Sequence, residues 1–482
     1  MPSVIFYGAG HNAREKFNHW IKSGLNPVCF VDSDINKHYT IFEKSQKKLS
    51  ILPLFEAVSR YPDYELYLTQ HSFSLFAVRS FLLSVGIPSE RIKYCDDAGA
   101  IQRVVPHEFG ILYPKLQQIY NALQDDLSKA LFFGRVECCL SNKLTGIYRA
   151  MVREDYIRWV SKKTTYASQR YELNGLWQLL KENYPIQKND IYLLAFDDDW
   201  NKYNWIVERF ISAMPEFGIT INGCVMPYAN SEIKEFNGIQ CLSEIDLINR
   251  ADENTRIIIG FPGWCLQTKD IIDRFPDYKN ILFPIADTAL PSYFEDDIFE
   301  PTEKEIFVDV GVFDLSNSID FSKWATKGYK KIYAFEPDTL CYKRSFVRKK
   351  EMDISFQNKI ELINKALSAE NCILKFPAEY SGSGQYENDT MISVEAVSLD
   401  SYLNGKPVTF VKMDVEGAEM EVLLGMRETI INHKPKLAVC IYHNHKDLFE
   451  VTSFLLHLLP EYKFFIRHYN SNETETVLLC KV

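Results

Sequence analysis

Between residues 305 and 482 short apolar runs alternate with segments of helical periodicity. The runs are "EIFVDVG", "KKIYAFEPD", "KIELINKALS", "CILKFP", "TFVKMDVEG", "KLAVCIYH", "KFFIRHY" and "TVLLCKV". Strands that alternate with helices pair in parallel and have both faces covered. The last two runs have no helix between them, so they predict an antiparallel hairpin at the sheet edge. This pattern commits the segment to an α/β fold and fixes where chemistry belongs, because ligands of open α/β sheets bind at the carboxyl ends of the strands.

Three of those ends carry acids. "FVDVGVFDLSNS" ends a strand at Asp309, turns at Gly311 and opens a helix near Ser316. Asp309 offers a carboxylate to an ammonium group, and Gly311, lacking a Cβ, admits close approach to the backbone. The bland alternative is a tight turn with a capping acid. The next strand ends on Glu336, where an acid can bond the two hydroxyls of a ribose; alone it reads equally as a solvated strand end. In "FVKMDVEGAEMEVLLGM" (410–426), Asp414 and Glu416 stand beside the same edge. Glu416 can instead complement the dipole of the helix that follows. His443 and His445 in "YHNH" raise metal binding, but no further ligand cluster at zinc spacing stands out, so no metal is expected.

The front of the chain repeats the α/β grammar. "SVIFYGAG", the helical "HNAREKFNHWIKSG" and "NPVCFVDSD" read β-α-β, with Ala13, Phe17, Trp20 and Ile21 on the buried helix face. "GAGHNA" is G-x-G-x-x-A after a strand, and Asp32 ends the next strand. Gly8, Gly10 and Asp32 are therefore candidates for a nucleotide or nucleotide sugar. A reductase or epimerase would need a helical Tyr-x-x-x-Lys; before residue 300 that spacing occurs only at Tyr184 and Lys188, with Pro185 inside it. Residues 190–300 look like a weaker copy of the first domain, with "DIYLLAFDDDW" as its opening strand. Asp197, Asp198 and Asp199 replace the glycine turn and would repel a phosphate. The expected organisation is a Rossmann-like domain at 1–107, a helical connector at 108–189, a degenerate second Rossmann-like domain at 190–300 and a third domain at 301–482.

Composition excludes several classes. The net charge is −10, against nucleic acid and anionic membranes as main partners. The basic run "KRSFVRKK" (343–350) fits the solvated face of a helix. Eleven cysteines without a C-x-x-C pair read as reduced thiols of a cytoplasmic protein, with one of the adjacent Cys138 and Cys139 buried. No run of 18 apolar residues predicts a membrane span.

Residues 290–482 resemble the FkbM-type methyltransferases. The resemblance rests on "YFEDDIF", "FVDVGVFD", "YAFEPD", "NKALS", "AVSLDSYL", "FVKMDVEGAEMEVLLG" and "PKLAVCIYHNHKDLFEV", in that order. It implies a class I seven-stranded sheet and S-adenosylmethionine as cofactor. Asp309 and Gly311 would face its methionine part and Glu336 its ribose, Asp314 would also bind the cofactor, and Asp414 would close the site beside the sulfonium. An O-methyltransferase also needs a base, for which Asp414, Glu416 and His443 are the candidates. The implied acceptor is a hydroxylated small molecule or sugar, for instance a surface-glycan precursor. N-methylation and self-association stay open. The chain departs from the family pattern at Leu315, where a second glycine is usual. A leucine there either crowds the cofactor or faces the core. The competing reading is a catalytically inactive, nucleotide-sugar-binding or scaffolding protein. The N-terminal part looks like the nucleotide-sugar-binding-type Rossmann modules fused to such enzymes.

Overall fold

The C-terminal sheet is built on β1 (Glu305–Val310), which pairs in parallel on both sides. Its other strands are β2 (Tyr329–Phe335), β3 (Ile360–Ile363), β4 (Phe410–Met413), β5 (Lys436–Cys440), β6 (Lys463–His468) and β7 (Thr476–Lys481), in the order β3-β2-β1-β4-β5-β7-β6. β7 runs antiparallel to both its neighbours. The hairpin expected at the sheet edge is present, with β6 outermost. This is the expected mixed α/β fold with a seven-stranded sheet. The structure, a computed structural model, describes residues 2–9, 11–22, 24–44, 47–69, 82, 85–88, 91–94, 106–141, 143–163, 179–180, 190–194, 204–225, 235–236, 239–252, 255–259, 282–284, 293–377 and 391–482.

The central strands are apolar throughout because helices cover both faces. Phe307, Phe321 and Phe410 are buried among one another, with Phe307 and Phe321 stacked at 4.3 Å. Two charge pairs interrupt this core. Glu305, fully buried, accepts from the Thr302 amide at 2.6 Å and from Lys436 Nζ at 2.6 Å. Lys412 on β4 pairs with Asp309 on β1. The run "KIELINKALS" is not one strand. Ile360–Ile363 joins the main sheet, whereas Ala366–Leu367 joins Cys372–Pro377 and Met391–Val397 in a small separate sheet. Asn364 marks the break and donates from Nδ2 to the Glu336 carbonyl at 2.8 Å. The basic run lies on the helix Thr339–Glu351, with Lys343, Arg344 and Lys350 exposed.

An open β6 would leave a row of unpaired backbone groups. Residues 123–128 cover it. The Gln124 amide donates to the Phe464 carbonyl at 3.0 Å, and Ser128 Oγ accepts from the Ile466 amide at 2.9 Å. Arg467, almost fully buried, pairs with Asp125 at 2.9 Å and Asp297 at 3.3 Å. The helix Asp126–Ser141 packs on β6 and supplies this cover. Both Cys138 and Cys139 are buried, not one of the two, because the helix Asp126–Ser141 is enclosed on more than one face.

The chain divides into two compact units. One holds Met1–Arg103, Tyr192–Ser212 and Ile221–Glu253; the other holds Val104–Ile191, Ala213–Thr220 and Asn254–Val482. In the first unit Pro27–Val31 pairs in parallel with Lys47–Leu52, which pairs antiparallel with Ile41–Lys44. The same trio recurs later: Ile221–Val225 is parallel to Ile239–Leu242, which is antiparallel to Glu235–Phe236. Ala13, Phe17 and Trp20 are buried on the first helix, against Phe6 and Phe30. Among the described residues no helix is long and apolar enough to cross a membrane.

The cover on β6 depends on a guanidinium withdrawn from water. Arg467→Met keeps the volume and removes the charge. Because Asp125 and Asp297 are partly exposed and can be solvated, the expected loss is about 2 kcal/mol, below that of a wholly buried pair. Urea unfolding of the full chain measures it.

Candidate active site

A cavity of about 360 Å³ opens at the carboxyl ends of β1, β2 and β4, where the topology predicts a ligand. Its first wall is the turn after β1. Gly311 has φ +82°, and a Cβ there would lie 1.8 Å from the Asp414 carbonyl oxygen. The glycine is thus required by the chain crossing from β4, a reason the sequence did not reveal. Phe313 and Leu315 also take positive φ, at 55° and 73°. Leu315 is fully buried and lies outside the cavity lining, so it faces the core. Asp314 lines the cavity, accepts from the Ser316 amide at 3.0 Å and pairs with Arg348 at 2.7 Å, which orders the turn.

Glu336 lies on the second wall. Its two carboxylate oxygens accept from the Phe313 and Asp338 amides, each at 2.8 Å. Burial raises its pKa, and the two amide bonds oppose that rise. The acid at the end of β2 is thereby aimed into the cavity with its geometry fixed.

Asp309 stands elsewhere than expected. It is fully buried, accepts from Ser318 Oγ at 2.7 Å and faces Lys412 Nζ at 3.4 Å, and it does not line the cavity. The group at that wall is Lys412, whose ammonium donates to the Gly311 carbonyl at 2.6 Å. Burial would lower the Lys412 pKa, but Asp309 and Asp414 outweigh it and the net shift is upward. Asp309 therefore supports the site through Lys412.

Asp414, Glu416 and His443 do meet. His443 Nε2 lies 3.5 Å from Asp414 and 3.6 Å from Glu416. Tyr293 donates its hydroxyl to Asp414 at 3.0 Å. Burial pushes the Asp414 pKa up, yet Lys412 and His443 pull it below the ordinary value. Glu416 sits in the turn at φ 56° and is about half exposed. It does not cap the next helix, Glu419–Leu424, whose N-cap is Ala418. His443 Nδ1 bonds the fully buried Glu419 at 2.8 Å. Burial lowers the His443 pKa, but the Glu419 bond and the Asp414 charge raise it further, to about 9. The imidazole is an imidazolium at neutral pH.

Asp414, Glu419 and His443 present ligand atoms within 4.8 Å of one another. Both imidazole nitrogens already face carboxylates, so the positive charge those carboxylates need comes from the histidine itself. His445 is not in this group.

Four residues of the site were not singled out from the sequence: Lys412, Tyr293, Glu419 and Glu475. Glu475, on the turn between β6 and β7, lines the cavity and accepts from the Tyr442 hydroxyl at 3.4 Å. Glu419 carried a signal, an acid on the buried stripe of its helix. Glu475 carried none.

In the first unit, Asp32 ends its strand as expected. Its carboxylate accepts from the Ala9 amide at 2.8 Å, the Asp34 amide at 2.9 Å and Lys37 at 3.1 Å. Gly8 has φ +105° and donates its amide to the Val31 carbonyl at 2.6 Å. Gly10, Asp197, Asp198, Asp199, Tyr184 and Lys188 lie outside the described residues.

Residues 309–466 match the family described as the methyltransferase FkbM domain. No protein of curated function matches the chain. Among solved structures, a methyltransferase FkbM from Methylobacillus flagellatus KT is similar at TM-score 0.42 and 14% identity, covering 99% of this chain and 90% of its own. A precorrin-6y C5,15-methyltransferase from Geobacter metallireducens is similar at TM-score 0.23 and 12% identity, over 38% of this chain and 81% of its own. A putative methyltransferase from Streptococcus mutans, in complex with SAH, gives TM-score 0.24 and 12% identity, over 39% of this chain and 94% of its own.

Two measurements test this geometry. Gly311→Ala places a methyl against the Asp414 carbonyl at an unfavourable φ, so it is expected to destabilise the chain by about 3 kcal/mol or more in urea unfolding. His443 has a folded-state pKa raised above its unfolded value. Its stabilisation is therefore fully present below about pH 6.5 and is lost as pH rises through about 9. Unfolding free energy is expected to fall between pH 7 and 9.5 in the native protein, and less steeply in His443→Gln.

Proposed function

With residues 309–466 forming a methyltransferase FkbM domain, we propose that this protein transfers a methyl group from S-adenosylmethionine to a hydroxyl of a sugar, a glycan precursor or another small molecule. The observation that carries the reading is Glu336, held on the cavity wall by two amides. Each of its oxygens keeps acceptor capacity beyond the amide it already receives, enough for a ribose diol. The cavity volume also falls within the range of small-ligand sites.

S-adenosylmethionine supplies a methyl on a sulfonium, which becomes an uncharged thioether after transfer. Glu336 would take the ribose hydroxyls, and the Gly311–Asp314 turn would face the methionine part. Lys412 holds that turn by its bond to the Gly311 carbonyl. Asp414, kept ionised by Lys412 and His443, puts negative charge near the sulfonium end. Displacement at the methyl is in line, so the chain acts chiefly by positioning the two reactants and excluding water.

The scaffold reading depended on Leu315 crowding the cofactor, and its side chain is buried in the core away from the lining. A nucleotide or nucleotide sugar at Gly8 and Asp32 is a separate proposal for the first unit. It requires a ligand to displace or share the bonds that Asp32 now makes.

Calorimetric titration of the full chain with S-adenosylmethionine tests the reading. Saturable binding is expected, weakened about 10–100-fold in Glu336→Ala. Absence of binding by the folded native chain would refute it.

A further inference from the structure

We propose that Glu475 is the group that takes the acceptor's proton during methyl transfer. The inference rests on the methyltransferase reading above and deepens it.

The cavity offers several carboxylates, and most are already committed. Glu336 holds two amides, Asp314 pairs with Arg348, and Asp338 caps the helix Thr339–Glu351 by accepting from two amides. Asp414 receives the Tyr293 hydroxyl and faces the charges of Lys412 and His443, which stabilise its ionised form and weaken it as a base. His443, the third base candidate from the sequence, is an imidazolium with each nitrogen facing a carboxylate, so it has no lone pair to offer at neutral pH. Glu416 is half exposed at the rim.

Glu475 differs from all of these. Its turn places it on the cavity wall beside Tyr442, its backbone just before β7 takes φ 60°, and among the described residues its carboxylate meets one neutral donor, the Tyr442 hydroxyl. The charged groups facing it are Asp414, Glu416 and His443. Burial and the Asp414 charge keep its proton on until about pH 7, against the pull of His443 and the Tyr442 bond. A carboxyl poised there both accepts and releases a proton near neutrality.

The step balances within the site. The acceptor oxygen bonds the methyl carbon, and the carbon–sulfur bond breaks with its electron pair staying on sulfur. The hydroxyl proton passes to a Glu475 carboxylate oxygen.

The test needs no acceptor. S-adenosylmethionine carries a sulfonium that S-adenosylhomocysteine lacks, so the ratio of their affinities reports negative charge at the transfer point. Calorimetry of the full chain at pH 6 and pH 8 is expected to show that ratio rising about three- to tenfold as Glu475 ionises. In Glu475→Gln the ratio should stay flat, while S-adenosylhomocysteine binds as in the native chain and shows the variant folded. Asp447, held near pH 7 by burial and Glu419, titrates in the same window but does not line the cavity, so Asp447→Asn should leave the rise intact. A rise that persists in Glu475→Gln, or vanishes in Asp447→Asn alone, overturns the proposal. Failure of the native chain to bind either compound overturns the methyltransferase reading beneath it, which is a different result.

Discussion

Lys412 is the charge around which the site is arranged. It lies on the central β4, almost fully buried, in a layer of apolar strands. A lone ammonium there would be costly, and three features make it tolerable: Asp309 beneath it, the Gly311 carbonyl it bonds, and Asp414 within its field. Each of those is also a part of the site. The bond to Gly311 fixes the first turn, and the Asp309 pair ties β1 to β4. The positive charge keeps Asp414 ionised, which in turn helps hold His443 as a cation. Two opposed sets of charges thus stabilise one another, and removing any member leaves the next one buried without its partner.

Much of this frame could be read in the residues. Strand ends at Asp309, Glu336 and Asp414 were legible because an acid closing an apolar run is unusual, and the edge they share follows from parallel pairing. The hairpin closing the sheet followed from two runs with no helix between them. What was not legible depends on burial and on distance along the chain. Nothing in "EIFVDVG" says that Asp309 turns inward to a lysine a hundred residues later. Gly311 invites the thought of a ligand, but the atom that demands it is a carbonyl from β4. Tyr293 precedes the sheet altogether and reaches Asp414 from 121 residues earlier in the chain. Glu475 lies in a polar turn, "NSNETET", where an acid is unremarkable until the turn is seen over the cavity.

The recurring trio of strands, two parallel and one antiparallel, in Pro27–Val31 and again in Ile221–Val225, with their partners, shows pattern outlasting residue identity. Periodicity and the order of strands carried that likeness, although the opening run of the first copy is followed by "GAG" and that of the second by "FDDD". Asp32 illustrates the converse. Its position is the one that a ribose-binding acid takes, yet its oxygens serve the Ala9 and Asp34 amides, so position in a pattern and present occupation are separate facts.

The cover on β6 makes the helix Asp126–Ser141, far ahead of the seven-stranded sheet in sequence, part of that sheet's structure. A fragment cut where the sequence suggests a boundary, near residue 301, would lose Leu123, Gln124, Ser128 and the carboxylates of Asp125 and Asp297. Its outer strand would then present bare amides and carbonyls beside an unmatched arginine. Such a fragment invites strand-to-strand association between copies, and the hairpin that carries Glu475 would be held from one side only. The smallest self-sufficient piece is thus set by what covers the last strand, not by where the alternation of strands and helices begins.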